Sequence, residues 1–453
     1  MASTKGAAKK APAKLDVLDI AAVPLDERLA KGMILGTKLT QRWGSGTLAI
    51  PGLDPAPFRK RIYSSGLASL DQKLQIGGYP SGTIVEFFGP PHVGKSLLLY
   101  MLISEVQHTC SKCEGRIVYG DRIDGKGRTV FHTVNTLVRG EPVELQVPIR
   151  DSLCKNCSAP NSGGLVILFD QENSVDPNWL TAQNVEITKL IVAKMPTGEE
   201  ATEMARTLIL QLKPELVAID SIAQLQPEAE QLKSEVDDKI MPGLHAKIMA
   251  RLCRQITSLF LMDPVAAPLV AWVNQVRADV TGYGKDVVTG GFAPEHYSAI
   301  RLKVSGGTKK VNQDKPELGV EGSITIKKCK VAKGAKNRAI THILTDEGFD
   351  RVTDLYNTSV ALGVWNTTKL GSGQHFWADE QQIEPEKRLA NKRDEALERM
   401  RTQPEFFDEV LRRTNRSMIV AEPINMEQGA YLGDGVEDSN ASQEPESEVD
   451  ETR

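Results

Sequence analysis

The chain has 453 residues, of which 40% are hydrophobic and 25% charged, enough for one large core and one or two smaller modules. Its apolar stretches fall far short of the roughly 20 residues of a membrane-spanning helix, and no apolar segment follows the basic first ten residues as in a secretory signal. Composition therefore argues against membrane and secreted proteins and predicts an intracellular one. The net charge of -4 is uneven: residues 434–453 carry eight acidic side chains against Arg453, a local charge of -7, and subtraction leaves +3 on residues 1–433.

The first 62 residues are predicted to form a tail and a small module. Residues 1–15 are rich in Ala and Lys and lack periodicity, so a disordered basic tail is expected. In residues 16–62, a helical pattern over 25–43 precedes a short strand-like run over 46–50.

Residues 63–345 alternate apolar, strand-like runs with helical segments. Such alternation predicts an α/β core with a mainly parallel sheet. A capping box at 197–200 opens one predicted helix, whose apolar face holds Ala201, Met204, Ala205, Leu208 and Leu212. Residues 243–262 form a second amphipathic helix pattern. The predicted strands cover 83–88, 165–169, 190–193, 216–219, 269–273, 299–304 and 323–327.

The alternating pattern of strand and helix runs ends near residue 346. Residues 346–420 are predicted to form a smaller α+β domain with helices over 385–401 and 404–413. Residues 421–453 are acidic and almost free of aromatic side chains, so a disordered acidic tail is expected.

A phosphate-binding motif of the form GxxxxGK[ST] lies between the strand run 83–88 and the apolar helix start at Leu97, the setting that this motif requires. Its glycines let backbone N–H groups close around phosphate oxygens, Lys95 reaches the β- and γ-phosphates, and the Ser96 hydroxyl can ligate magnesium. The motif predicts a site for ATP with Mg²⁺. Its residues are Gly89, Pro90, Pro91, His92, Val93, Gly94, Lys95 and Ser96.

Polar side chains end three of the predicted strands, and parallel strands bring such ends to one edge of the sheet. Asp220 is the expected acid on the magnesium side, or else an Asp that caps the next helix. Glu172 is the candidate base that activates water, with Asp170 as a structural alternative. Gln275 is placed either to sense the γ-phosphate or to act as a satisfied strand-end amide.

Six cysteines are too few for a disulfide scaffold, and four of them form two CxxC pairs within residues 108–163. Two such knuckles predict a tetrahedral zinc ribbon; four reduced surface thiols are the alternative. His108 and His132 could substitute as ligands, and Cys253 and Cys329 are expected to be core or incidental thiols. The four predicted zinc ligands are Cys110, Cys113, Cys154 and Cys157.

The order of these features resembles the RecA family over residues 25–420, with RecA-like segments at 81–90, 176–177, 196–200, 275–277 and 289–291. The resemblance implies a RecA-like P-loop ATPase core, with a polymerisation helix and strand in 16–62 and a small C-terminal domain in 346–420. It also implies that the acidic tail restrains DNA binding. The zinc ribbon would be an insertion into this core.

The resemblance gives roles to the site residues. Glu172 becomes the water-activating base, and Gln275 couples the γ-phosphate to the loop that follows it. Trp179 falls where the family stacks an aromatic on adenine, although an ordinary core tryptophan is the alternative. Lys328 and Lys330, within an acid-free basic run over 327–338, match a pair that reaches ATP from the neighbouring subunit. The other implied nucleotide-binding positions are Leu97 and Asp176.

Two DNA-binding loops are implied by the same resemblance, over residues 227–242 and 276–289. Acidic side chains lie in both loops and would weaken phosphate attraction locally. The implied DNA-facing residues are Arg254, Arg277, Val280, Thr289, Gly290 and Gly291.

The function implied is that of a DNA-dependent ATPase that forms a filament on single-stranded DNA and promotes pairing and strand exchange with homologous duplex, in recombination and DNA repair. Single-strand-binding and loading proteins are the implied partners, with no membrane, in the cytoplasm of a bacterial cell or a phage-infected host. His296 stands where the family usually carries an interface Phe, and the ribbon and diverged loops favour a phage-encoded relative.

Two rival functions remain. A RadA- or DnaB-like ring motor for branch migration or unwinding is favoured by the Lys336-Asn337-Arg338 triplet and by the presence of a ribbon, but in RadA proteins the ribbon precedes the core. A recombination mediator that binds ATP with little turnover is disfavoured by Glu172 and Gln275.

Overall fold

A computed structural model of the chain describes residues 58–138, 141–231, 243–277, 287–306, 319–335, 337–345, 348–367, 373–379 and 388–420, with four single residues between 29 and 35. The predicted basic tail, nearly all of the N-terminal module, the acidic tail and most of both predicted DNA loops lie outside these residues. Within the described ranges, none of the helices has the length and apolar character needed to cross a membrane.

Strands and helices succeed one another along the described chain. The strands are β1 (Ile62–Tyr63), β2 (Tyr79–Pro80), β3 (Ile84–Gly89), β4 (Ile117–Asp121), β5 (Phe131–Val138), β6 (Glu141–Pro148), β7 (Arg150–Cys154), β8 (Val166–Asp170), β9 (Leu190–Ala193), β10 (Leu216–Asp220), β11 (Leu269–Arg277), β12 (Val287–Val288), β13 (Ile300–Ser305), β14 (Val320–Cys329), β15 (Ala339–Thr345), β16 (Gly348–Phe349), β17 (Trp365–Thr367) and β18 (His375–Trp377). The helices are α1 (Ala68–Leu74), α2 (Lys95–Gln107), α3 (Pro177–Ala182), α4 (Gly198–Leu212), α5 (Glu228–Gln231), α6 (Leu244–Met262), α7 (Phe292–Tyr297), α8 (Arg351–Ala361), α9 (Arg393–Thr402) and α10 (Pro404–Val420).

The central sheet has the strand order β16-β15-β14-β13-β3-β11-β10-β8-β9, and β12 pairs with the end of β11. The strands from β13 to β9 are parallel, whereas β14, β15 and β16 add antiparallel pairs at one edge. The register sets Asp220 beside Asp170 and Gln275 beside Gly89. The predicted mainly parallel α/β core is therefore confirmed, and the polar strand ends meet at one edge.

Helices cover both faces of the sheet. One face packs on α1 and α2 around Leu99 and Phe87, and the other packs on α4 and α6 around Trp272 and Leu252. All residues of β3, β8 and β10 are buried as a result. Burial on both faces is the physical reason why these strands are near-continuous apolar runs.

The predicted strands are found with small shifts, and 190–193 matches β9 without change. The run 269–273 extends through Asn274 to Arg277, because the Asn274 side chain is buried and hydrogen-bonded within the sheet. The run 323–327 becomes the longer β14, which pairs with strands on both of its sides.

The predicted capping residue Thr197 accepts a hydrogen bond from the Glu200 N–H at 3.1 Å, so α4 begins as expected. The predicted face is wrong at Leu212, which is 42% exposed. Ile209 is buried instead, because it continues the four-residue spacing from Ala201 and Ala205 on the covered side of the helix.

Two C-terminal helices differ from their predicted bounds. α9 begins at Arg393 rather than at 385, since Ala390 forms an antiparallel bridge with His375; residues 385–387 lie outside the described ranges. α10 continues past 413 to Val420.

The three C-terminal helices and the pair β17-β18 enclose a third apolar cluster, in which Trp365 and Trp377 stack at 5.1 Å between ring centroids. Ala68 of α1 belongs to this cluster, so the C-terminal helices pack directly on the core. β16 carries the main sheet beyond the predicted boundary at 345. The division of the chain into domains stays a prediction.

The predicted ribbon region contains two antiparallel pairs. β4 pairs with β7, with Ile117 opposite Cys154, and β5 pairs with β6 as a long hairpin. The long stretch between the two cysteine pairs is therefore largely strand.

Candidate nucleotide-binding site and cysteine cluster

The P-loop connects β3 to the start of α2. A Cβ atom at Gly89 would lie 2.0 Å from the Val304 carbonyl oxygen, and Gly94 caps α2 with a φ of 89°, so both positions require glycine. Lys95 is 7% exposed, and its Nζ donates to the Pro90 carbonyl. Burial lowers the pKa of Lys95, while Glu172 and Asp220 act in the opposite direction. The Lys95 side chain is thus folded back onto the P-loop. To reach a bound phosphate, it would have to leave the Pro90 carbonyl.

Asp220 ends β10 directly beside α2 and has no exposed surface. One carboxylate oxygen accepts from the Tyr100 hydroxyl at 3.4 Å, and the other has no partner among the described residues. Burial raises the pKa of Asp220 to about 6, while the nearby Ser96 hydroxyl acts in the opposite direction. A carboxylate and a hydroxyl on a shared edge, with one buried oxygen unpaired, fit Mg²⁺, which prefers such oxygen ligands.

Glu172 follows β8 at the same edge of the sheet. Its Oε1 accepts from Ser221 Oγ at 2.7 Å and from Gln275 Nε2 at 2.8 Å. The backbone N–H of Glu172 donates to the Asp220 carbonyl at 3.2 Å. The structure therefore joins the candidate base, the magnesium-side strand and the candidate sensor through a single carboxylate oxygen.

Asp170 has a different environment from Glu172. Its carboxylate accepts from the Ser174 N–H at 3.1 Å and pairs with Lys194 at 3.2 Å. Both contacts hold the turn after β8, which fits the structural alternative weighed for this residue.

The candidate sensor is tied to the predicted second DNA loop. Asn274 donates from Nδ2 to Glu86 Oε1 at 2.8 Å and to the Thr289 carbonyl at 2.9 Å. Thr289 in turn donates to the Gln275 carbonyl at 3.4 Å. The two ends of the loop over 276–289 are thus joined beside Gln275.

The predicted DNA-facing residues are only partly described. Arg254 is exposed on α6, Gly290 is buried and Gly291 is exposed. Arg277 ends β11, but its side chain and all of Val280 lie outside the described residues, as does the first predicted loop beyond 231.

The adenine and intersubunit positions lie on the surface. Asp176 caps α3 by accepting from the Asn178 N–H at 2.8 Å, and Trp179 on that helix is 40% exposed, which disfavours the core alternative. Lys328 and Lys330 both donate to the His296 carbonyl on α7, at 3.0 and 3.1 Å. Burial and the nearby Lys330 charge lower the pKa of Lys328 to about 8.

Three further residues of this edge were missed by sequence reasoning. Tyr100 contacts Asp220, and the buried Glu86 pairs with Arg301, which also pairs with Glu295 of α7 at 2.9 Å. The available signal was a single polar or charged residue inside each apolar run, which implies a buried partner.

The four predicted zinc ligands converge. Their sulfur atoms all lie within 4.8 Å of one another, with Cys113 to Cys154 at 3.5 Å and Cys110 to Cys157 at 3.8 Å. Tetrahedral zinc with bonds near 2.3 Å would set its sulfurs about 3.8 Å apart. A Cβ atom at Gly115 would lie 3.1 and 3.2 Å from two of these sulfurs, so glycine keeps the cluster closed. The donor set and spacing fit a structural zinc ion.

Known proteins resemble the chain over most of its length. Residues 36–121 and 151–350 match the RecA N-terminal domain. Protein RecA of Thermus aquaticus is 27% identical over 389 residues, covering 84% of this chain and 94% of that protein. Protein RecA of Acholeplasma laidlawii is 26% identical over 388 residues, covering 85% and 96%.

Protein RecA, chromosomal, of Lactococcus lactis is 28% identical over 362 residues, covering 77% of each chain. The unmatched residues 122–150 lie within the predicted insertion over 108–163. A phage origin stays a prediction. Since the family match spans more than half of the sequence, the chain belongs to the RecA family of recombinases.

Proposed function

We propose that the chain is a DNA-dependent ATPase that polymerises on single-stranded DNA, holds it extended and pairs it with homologous duplex. The observation that carries this function is the contact between Gln275 and Glu172, because the strand of Gln275 leads directly into the loop that ends at Thr289. A change at the γ-phosphate would alter the contacts of Gln275 and Glu172 together. Family membership supports DNA as the partner.

The chain's own residues supply the steps of hydrolysis. Lys95 leaves the Pro90 carbonyl to contact the terminal phosphates, and Ser96 with Asp220 holds Mg²⁺, which neutralises phosphate charge when bound. Glu172 accepts the proton of the attacking water after its Oε1 is released by Ser221 or Gln275. Exchange of DNA strands makes no covalent bond, so the catalysis is ATP hydrolysis alone.

The positions of the remaining site residues support filament formation. Lys328, on β14, and Lys330, just after it, donate hydrogen bonds to the His296 carbonyl of α7 at the surface rather than to the P-loop of their own chain. We infer that they contact ATP bound to the neighbouring protomer. Nucleotide binding and protomer contact are then thermodynamically coupled, since each favours the other.

Electron microscopy with single-stranded DNA and a non-hydrolysable ATP analogue tests this function most directly. Helical filaments are expected, formed only with nucleotide. Closed hexameric rings would contradict the proposal and favour the ring motor. DNA-stimulated ATP turnover, measured on the same preparation, distinguishes a recombinase from a mediator with little turnover.

We also propose that Cys110, Cys113, Cys154 and Cys157 bind one structural zinc ion. The sulfur spacing and the glycine at 115 support this assignment. Elemental analysis should find about one zinc per chain, and Cys157→Ser should lose it. Absence of zinc from metal-replete wild-type protein would contradict the assignment.

A further inference from the structure

Each of the two cysteine knuckles makes a contact outside the ribbon, and the two contacts go to different parts of the protein. In the first knuckle, the Ser111 carbonyl accepts from the Arg61 guanidinium at 2.6 Å. In the second, Lys155 lies between two metal-binding cysteines and pairs with Asp408 of α10 at 2.8 Å. The cysteine cluster therefore sits between the core and the C-terminal helices.

A third contact joins the ribbon to the helix that begins at the P-loop. Arg116 follows the first knuckle and pairs with Glu105 at 3.1 Å, while its carbonyl accepts from the Lys155 N–H at 2.9 Å. Glu105 lies on α2 ten residues after Lys95, about 15 Å along the helix. The same peptide segment thus links the P-loop helix to the second knuckle.

Glu105 also pairs with a residue of the C-terminal helices. Its side chain is only 7% exposed and pairs with Arg351, the first residue of α8, as well as with Arg116. Burial raises the pKa of Glu105, but the guanidinium groups of Arg351 and Arg116 together hold that pKa below its ordinary value. Because the Glu105 carboxylate is buried, losing either arginine removes part of the compensation of its charge and leaves the rest to the other arginine.

The described side chains of the ribbon offer little apolar packing to keep these contacts in place. Their buried apolar cluster consists of Cys110, Ile117, Cys154 and Ala159, and two of these four are predicted zinc ligands. A small segment with such a core usually depends on a metal for its structure. Without metal, Arg116 and Lys155 would keep their backbone hydrogen bond, but the knuckles that carry them would be less rigid.

We propose that the metal-bound ribbon is a brace that ties the C-terminal helices α8 and α10 to the P-loop helix α2. One path of contacts runs from Glu105 of α2 to Arg116, then to Lys155 of the second knuckle, and then to Asp408 of α10. A second path joins Glu105 directly to Arg351 of α8. The brace rests on the proposed zinc site only for the rigidity of the knuckles. The ion pairs themselves are independent of that assignment.

Hydrogen exchange of the full-length protein tests the brace with three matched substitutions in the ribbon outside the cysteines, and with Cys157→Ser. Arg116→Met and Lys155→Met each remove one tie. Lys112→Met is the control, since this exposed lysine lies in the first knuckle and its side chain makes no ion pair within the described ranges. Zinc content is measured for every variant.

Lys155→Met should speed exchange of the amides around Asp408 by up to about fivefold, because the ion pair is partly exposed. Arg116→Met should speed exchange at the end of α2 and the start of α8 by up to about tenfold, because Glu105 is buried while Arg116 is 34% exposed and Arg351 stays paired. Cys157→Ser should reproduce both effects together. Lys112→Met should produce neither.

Unchanged exchange in α8 and α10 for Arg116→Met, Lys155→Met and Cys157→Ser would overturn the brace even if zinc is present. Zinc-free wild-type protein would overturn only the zinc assignment, because the two methionine variants still report on the ion pairs. If Arg116→Met does not fold, Arg116→Lys replaces it, and exchange at the start of α8 should be faster in Arg116→Lys than in Lys112→Met.

Discussion

Replacing Glu172 with Gln isolates the proposed chemical step from the structure around it. Both hydrogen bonds to this side chain, from Ser221 at 2.7 Å and from Gln275 at 2.8 Å, end on the same oxygen. An amide oxygen accepts both bonds, so Gln keeps the shape and the contacts. Only the ability to take a proton from water is removed.

The expected loss can be bounded. A positioned general base contributes about 10²- to 10⁴-fold, which corresponds to about 2.7–5.5 kcal/mol of activation free energy. Loss of charge weakens each of the two retained hydrogen bonds by about 1 kcal/mol, and both bonds join residues of the protein rather than ATP. Even if both losses appeared in full as weaker ATP binding, about 25-fold together, the fall in turnover should still be the larger effect.

Single-turnover hydrolysis of radiolabelled ATP with single-stranded DNA measures the chemical step, and a fluorescent ATP analogue measures affinity. Asp170→Asn is the matched control, because Asp170 ends the same strand but is occupied by Ser174 and Lys194. The control should lose stability and keep turnover within tenfold. A Glu172→Gln protein that hydrolyses ATP within tenfold of wild type, or a folded Asp170→Asn protein that does not, would refute the reasoning.

Three further predictions concern the P-loop, the magnesium side of the site and the core. Lys95→Ala should abolish DNA-stimulated ATP turnover while leaving the thermal unfolding of the nucleotide-free protein largely unchanged; persistent turnover would contradict the P-loop assignment. Because the raised pKa of Asp220 is about 6, its proton is favoured in the metal-free fold below that pH. Mg²⁺-dependent ATP affinity, measured by titration between pH 7.5 and 5, should then fall as the pH drops through 6, and a flat profile would remove Asp220 from the metal site. Trp272→Ala should lower the free energy of unfolding by about 3–5 kcal/mol in urea denaturation, whereas Trp272→Phe should cost less because the buried Trp272 N–H has no partner among the described residues; equal losses would contradict this account of the core.

Sequence reasoning recovered the part of the fold that depends on local pattern. Strands buried on both faces are continuous apolar runs, and so the runs ending at Phe169, Ile219 and Val273 were located within one to a few residues. Prediction from the sequence was less accurate where the buried face or the first residue of a helix depends on tertiary contacts. The start of α9 was misplaced because Ala390 pairs with His375 before the helix can begin.

For the site as well, local motifs could be predicted from the sequence, whereas tertiary contacts could not. The P-loop and its glycines are a local motif, so Lys95 and Ser96 could be assigned from spacing alone, and the cysteine pairs likewise predicted a metal centre. The choice between Glu172 and Asp170 could not be made that way, because both follow one strand and only their contacts distinguish them. Family resemblance favoured Glu172 before any contact was known.

By itself, the sequence determined the phosphate motif, the parallel core and the four cysteines, because each is written in short-range spacing. The tertiary structure alone decided that Asp220 keeps one buried oxygen unpaired among the described residues, that Gln275 reaches Glu172, and that Glu105 joins Arg116 to Arg351. These contacts join residues far apart in the chain, so their partners depend on the order of strands in the sheet and on how the ribbon packs beside it.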